Sequence, residues 1–154
     1  MANQVLSKFS SRTAIVITLS NLPSSIVGVG FQSTLVDNTT TRYQTVHIFC
    51  KITVGTDPTA NTNISVYFIK NDGTNASDNA GDSTLAWTRV NARLLGTIRV
   101  PAVTSDIAYY KEFIVRNPGI DWGIGIVHNT GSNLETETGT LHQIAFIGEN
   151  PEVQ

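Results

Sequence analysis

The residues with the greatest capacity for chemistry lie in one stretch, Lys70 to Thr84 (KNDGTNASDNAGDST), which holds three aspartates, three asparagines, two glycines and four hydroxyl residues. Oxygen donors at this density suit a calcium cage, a sugar-reading loop, a glycosylated tip or the crown of a long hairpin. An EF-hand needs donors at alternate positions, a glycine at the sixth and a glutamate at the twelfth. Counting from Asp72, the third and fifth positions are Thr74 and Ala76; counting from Asp78, the third is Ala80. The register fails from both starts. A looser cage from Asp72, Asp78 and Asp82 remains open, but Asn, Asp, Gly and Ser are also what tight turns require of the backbone. The spacing therefore favours an exposed connection that folds without calcium.

The other reactive side chains are isolated. His47 falls on the polar phase of a strand, whereas His128 and His142 end or open strands near loops. Two of them meeting in space would offer a metal two nitrogens, with no spacing to supply a second ligand pair. Cys50 shares a strand phase with aliphatic residues and reads as a buried, inert thiol. Glu135 and Glu137 lie in LETETGT, a polar loop with nothing to desolvate a carboxyl group. The sequence has no G-x-S-x-G, no H-E-x-x-H, no phosphate-binding loop and no dinucleotide turn. The expectation is a protein with no catalytic residues, no cofactor and no metal. Asn38-Thr39-Thr40, Asn63-Ile64-Ser65 and Asn75-Ala76-Ser77 fit the glycosylation pattern, but without an export signal they read as coincidence.

The elements that would position these groups are strands. The 154 residues suit one domain, and 14% charged against 40% hydrophobic residues describes a folded chain. A net charge of −2, with the ten Lys and Arg scattered singly, gives no footprint for nucleic acid or an anionic membrane. The start, MANQVLSKFSSR, has no hydrophobic core of the kind a secretion signal needs, so production in a cytoplasm is expected. One cysteine excludes an internal disulfide framework.

Period-two alternation recurs along the chain and helical periodicity does not. In Tyr43 to Val54, Val46, Ile48, Cys50, Ile52 and Val54 share one face, while His47, Phe49, Lys51 and Thr53 share the other. Ile64, Val66 and Phe68 alternate with Ser65, Tyr67 and Ile69. Further strands are predicted at Ala14–Leu19, Val27–Val36, Leu85–Val90, Leu95–Val100, Ile107–Val115, Trp122–His128 and Leu141–Gly148. Eight or nine short strands punctuated by Gly, Pro, Asn and Asp predict an all-β, two-sheet antiparallel β-sandwich, with a jelly roll favoured among the topologies. In Trp122 to His128 (WGIGIVH), Gly123 and Gly125 share a face, which lets another backbone, a ring or a ligand approach closely.

The predicted organisation is an N-terminal arm at 1–11, one sandwich domain at 12–150 and a C-terminal tail at 151–154, where Pro151 is expected to end the last strand. Val5, Leu6 and Phe9 are too few for a core element and too apolar for an idle tail. They suggest an arm extended onto a neighbouring molecule, adding a strand to an exposed sheet edge there. Phe49, Tyr67 and Ile69, on outward strand phases, complete the set of expected assembly contacts.

KITVGTDPTANTNISVYFIKNDGT (51–74), DNAG (78–81), LLGTI (94–98) and DWGIGIVHNTG (121–131) resemble a group of small virion proteins of tailed bacteriophages, some described as capsid cement or decoration proteins. The resemblance runs over residues 42–148, with the order and spacing of the blocks preserved. It implies a β-rich, non-enzymatic particle component that binds the major capsid protein, stabilises the head shell and associates with copies of itself as a homotrimer. It transfers no catalytic residue. The competing expectation is a tail-associated module that binds a receptor or carbohydrate, with Trp87 and Trp122 stacking on the sugar.

Overall fold

The computed structural model describes residues 5–25, 28–71, 92–101, 103–136 and 140–153. Ten strands are found there: β1 (Val5–Phe9), β2 (Thr13–Ala14), β3 (Gly30–Gln32), β4 (Val36–Asp37), β5 (Thr45–Thr53), β6 (Thr62–Asn71), β7 (Ala92–Val100), β8 (Ala108–Arg116), β9 (Asp121–His128) and β10 (Gln143–Val153). They form two antiparallel five-stranded sheets, a β-sandwich. The first sheet runs β1-β10-β5-β8, with β2 also on β10; the second runs β3-β9-β6-β7, with β4 also on β9. The predicted strand Leu85–Val90, the segment 72–84, Trp87 and Glu137 lie outside the described residues.

The alternation in β5 is realised residue by residue. Val46, Ile48, Cys50 and Ile52 are buried between the sheets, and His47, Phe49 and Lys51 emerge on the outer face. The second sheet supplies Ile64, Val66, Phe68, Trp122, Ile124 and Ile126 to the same core. Trp122 stacks on Phe68 of its own sheet, ring centroids 5.5 Å apart, and meets Phe146 of the first sheet edge-on at 5.1 Å. The irregular stretch after β2 crosses from one sheet to the other. It buries Ile15, Leu19 and Leu22, and its backbone bonds to Ile144, His128 and Leu134.

The two glycines of β9 explain why Ile69, expected to face solvent, is buried. Ile69 lies opposite Gly123 and Tyr67 opposite Gly125. With no side chain at either glycine, the space above β9 is taken by its neighbours. Ile69 packs with Val127, Tyr67 and Ala92 into a second, smaller apolar cluster. From the other side, Leu35 and Ser33 come so close that a Cβ at Gly123 would stand 3.1 Å from each. The loop before β4 covers this glycine, and the tight-packing reading holds over the ligand groove.

The two chain ends also differ from expectation. β10 does not stop at Pro151 but runs on to Val153, and β1 pairs with it from Val5↔Val153 to Phe9↔Glu149. Ser10 donates its backbone N–H to Gly148 O, so even-numbered residues of β10 face β1 and Pro151 faces the β5 side. β5 begins at Thr45, opposite Glu149. The missing N–H of Pro151 therefore falls where β5 has no residue to bond, which is where a strand tolerates proline. Residues 5–9 thus form an edge strand on this chain's own sheet.

Asn38, in the first glycosylation-like triplet, is buried and fully engaged. Its Nδ2 donates to Tyr43 O and Gly119 O, and its Oδ1 accepts from Tyr43 N–H and the Thr41 hydroxyl. It clamps the loop after β4 to the β8–β9 connection and has no face to offer a glycan. Cys50 is buried as expected, and burial pushes its thiol up to about 12. The native protein should resist a thiol reagent. Cys50→Ser should lower unfolding stability by about 1–3 kcal/mol, because the hydroxyl finds an apolar site. Denaturant titration checks the loss, and rapid labelling of the native fold contradicts the burial.

Candidate functional site

The outer face of the first sheet collects side chains that the core does not use. β1, β10, β5 and β8 lie side by side there, and their registers set the rows. Phe9, Glu149, Thr45 and Arg116 form one row; Ile147, His47 and Ile114 the next; Ala145, Phe49 and Glu112 a third; Gln143, Lys51 and Tyr110 a fourth. Phe9, Tyr110 and Ile114 are 58%, 70% and 57% exposed, a large apolar content for a face open to water. The Arg12 guanidinium lies over the Phe49 ring, 5.7 Å from its centroid. A shallow groove of ≈ 390 Å³ lies between Arg12, Phe49, Tyr110 and Glu112.

His47 is the centre of this face. Its Nδ1 stands 2.8 Å from Glu112 Oε1 on β8, and its Nε2 stands 3.2 Å from Glu149 Oε2 on β10. A neutral imidazole carries one N–H and satisfies one carboxylate; the imidazolium donates to both. The Glu112 hydrogen bond, with Glu149 adding to it, therefore holds the His47 pKa above its ordinary value. Glu149 also accepts from the Ser7 hydroxyl on β1, and the Ser7 and His47 bonds lower its pKa. One chain of hydrogen bonds, Ser7 to Glu149 to His47 to Glu112, thus crosses all four strands of the main path of the sheet. The Phe9 ring meets His47 edge-on at 5.9 Å.

The other two histidines belong to the interior. His128 donates Nε2–H to Leu22 O at 2.9 Å, and its Nδ1 stands 2.9 Å from the Thr130 hydroxyl, which also bonds to Ser132 O. Burial pushes its pKa down to about 4, with the nearby His142 adding to the shift. His142 accepts the Thr53 N–H at Nδ1 and donates Nε2–H to Glu135 O. The two rings sense each other electrostatically, but each is tied to the backbone by its own hydrogen bond. Among the described residues no group of three or more His, Cys, Asp and Glu is placed to hold a metal.

The expected contact residues therefore divide. Val5, Leu6 and Phe9 are exposed on the edge strand β1, and Phe49 is half-buried on the outer face beneath Arg12. Tyr67 and Ile69 belong to the small cluster on the other sheet. Sequence reasoning missed Tyr110, Glu112, Ile114 and Arg116. Their alternation in β8 was a readable signal, since they occupy the outward phase opposite Phe113 and Val115. Trp122, offered as a sugar platform, is fully buried in the core. Comparison with family models, curated proteins and solved structures found no match for this chain.

The two shifted histidines give pH dependences of opposite sign. His47 has a raised folded pKa, so its contribution is fully present below its unfolded value near 6.5 and is lost as pH rises through the folded one. His128 has a depressed folded pKa, so its contribution is present above about 6.5 and is lost as pH falls toward about 4. The His128 loss should approach about 3 kcal/mol over that span. Unfolding free energies of wild type, His47→Gln and His128→Gln, measured from pH 4 to 8, check both signs. The wild-type advantage over His47→Gln should shrink as pH rises, and that over His128→Gln should shrink as pH falls.

Proposed function

We propose that the chain is a non-enzymatic structural protein of a tailed-phage particle, a cement or decoration protein that binds and stabilises the head shell. Its partners in this reading are the major capsid protein and further copies of itself, as a homotrimer, and it resides in the virion. The observation that carries the proposal is the outer face of the first sheet. Phe9, Phe49, Tyr110 and Ile114 surround the His47 charge cluster there, and exposed apolar groups around a charge cluster suit a protein partner.

The proposed topology within the sandwich is a jelly roll. β1 and β2 line up along β10, and β3 and β4 along β9, so each pair acts as one interrupted strand. The described residues then hold eight strands, in the orders first-last-third-sixth and second-seventh-fourth-fifth. Such an order results when a long antiparallel ribbon is wrapped into two nested Greek keys, an architecture shared by viral shell and lectin domains. Fold alone does not choose between those roles. The burial of Trp122 removes one of the two aromatic platforms that favoured sugar binding.

The test is the copy number in purified particles, measured by quantitative mass spectrometry against the major capsid protein. Hundreds of copies per particle are expected for a protein that covers a shell. A few copies, or a few dozen, would move it to the tail and reject the decoration role.

A further inference from the structure

Strand β8 is the free edge of the first sheet: β5 pairs with one side of it, and among the described residues no strand pairs with the other. Its ladder with β5 is fixed at the two ends by Asn117 N–H to Gln44 O and Val54 N–H to Ile107 O. In an antiparallel pair, successive residues point their N–H and C=O alternately toward and away from the neighbour. The odd-numbered residues of β8 thus face β5. Ala108, Tyr110, Glu112, Ile114 and Arg116 aim their backbone groups at the open edge, and the same residues carry the outer-face side chains.

We infer that β8 pairs with β8 of a second copy of this chain about a two-fold axis at Ile114. Among registers centred on an outward-facing residue of β8, only that one makes the edge complementary to itself. Ile114 meets Ile114, and Glu112 of each copy meets Arg116 of the other, so both charge pairs are matched. On the core side, Phe113 meets Val115. All three opposed pairs on the outer face join residues whose N–H and C=O point outward, so each exchanges two backbone hydrogen bonds. A centre at Glu112 sets glutamate against glutamate, and one at Arg116 sets arginine against arginine. A centre at Tyr110 leaves Glu112 opposite Ala108.

Lys111 supports the choice. It lies on the inward phase, where its ammonium reaches over the edge to Thr97 O at 2.7 Å. An inward charge on an edge strand normally blocks strand addition. With the axis at Ile114, Lys111 falls opposite Asn117 at the end of the ladder and keeps its bond to Thr97. Glu112 likewise keeps His47 on one carboxylate oxygen and has the other for the incoming arginine. The result is one continuous sheet through both copies, with the two outer faces joined. This contact is two-fold and belongs to the free chain, so it does not rest on the particle reading. It is also separate from a three-fold grouping, and would link neighbouring trimers.

The test uses the full chain, in which Cys50 is buried and silent toward oxidants. Opposed residues in such a pair have Cα atoms about 5.5 Å apart, within disulfide range. Ile114→Cys should form a covalent dimer at least about tenfold faster than the similarly exposed Val16→Cys, because pairing holds the two thiols at a high effective concentration. Adding Arg116→Glu should bring the rate down to that of the Val16→Cys control, and adding Glu112→Arg as well should restore it. Circular dichroism and the unfolding midpoint confirm that each variant is folded. Crosslinking at position 114 no faster than at 16, or a double charge swap that does not restore it, overturns the pairing.

Discussion

The structure depends on Trp122 being held between the sheets. It stacks on Phe68 and meets Phe146 edge-on, so one side chain ties β9 to β6 within its sheet and to β10 across the core. On the far side of β9, Gly123 and Gly125 leave the strand nearly bare. This lets Ile69, Tyr67 and the Ser33–Leu35 loop close over the strand. The second sheet is thereby sealed on both faces along β9, which is buried from Trp122 to His128.

The consequence is a division of labour between the sheets. Since the second sheet covers its central strand with its own residues, the first is left with the open face. Among the described residues, none folds over β5 and β8 on the outside. That face is neither plainly polar nor plainly apolar: rings and aliphatic groups surround a histidine between two carboxylates. In the proposed assembly, such a charge cluster would give register and orientation to a docking partner, and the apolar area around it would supply the affinity. The buried polar network of Asn38 and the interior histidines serves the opposite purpose. Those groups are spent on backbone partners and fix the loops at the ends of the sandwich.

Much of this was legible in the chain. The strict alternation of Val46, Ile48, Cys50 and Ile52 against His47, Phe49 and Lys51 prescribes a half-buried strand, and that pattern survives packing because one face meets the core and the other water. Ile69 and Pro151 were misread for a common reason. Each obeys the state of a neighbouring strand rather than its own. Ile69 is buried because its partner at Gly123 has no side chain, and Pro151 stays in a strand because β5 starts too late to need its N–H. Such facts depend on register, which period-two patterning leaves open. The site was dispersed in the same way. His47, Glu112 and Glu149 are far apart in sequence and meet only because β8, β5 and β10 are neighbours.

The central claim is that the outer face of the first sheet, with its β8 edge, is the surface through which this chain assembles. Amide hydrogen exchange, compared between the dilute free chain and the assembled state, tests it most directly. In the free chain the amides of Tyr110, Glu112, Ile114 and Arg116 should exchange fast beside protected odd-numbered neighbours, since only the latter bond to β5. On assembly they should become protected, while the amides of the His47–Phe49 segment, already bonded to β8 and β10, stay protected throughout. Protection gained only in the second sheet, with the even-numbered amides of β8 still exchanging fast, would contradict the account.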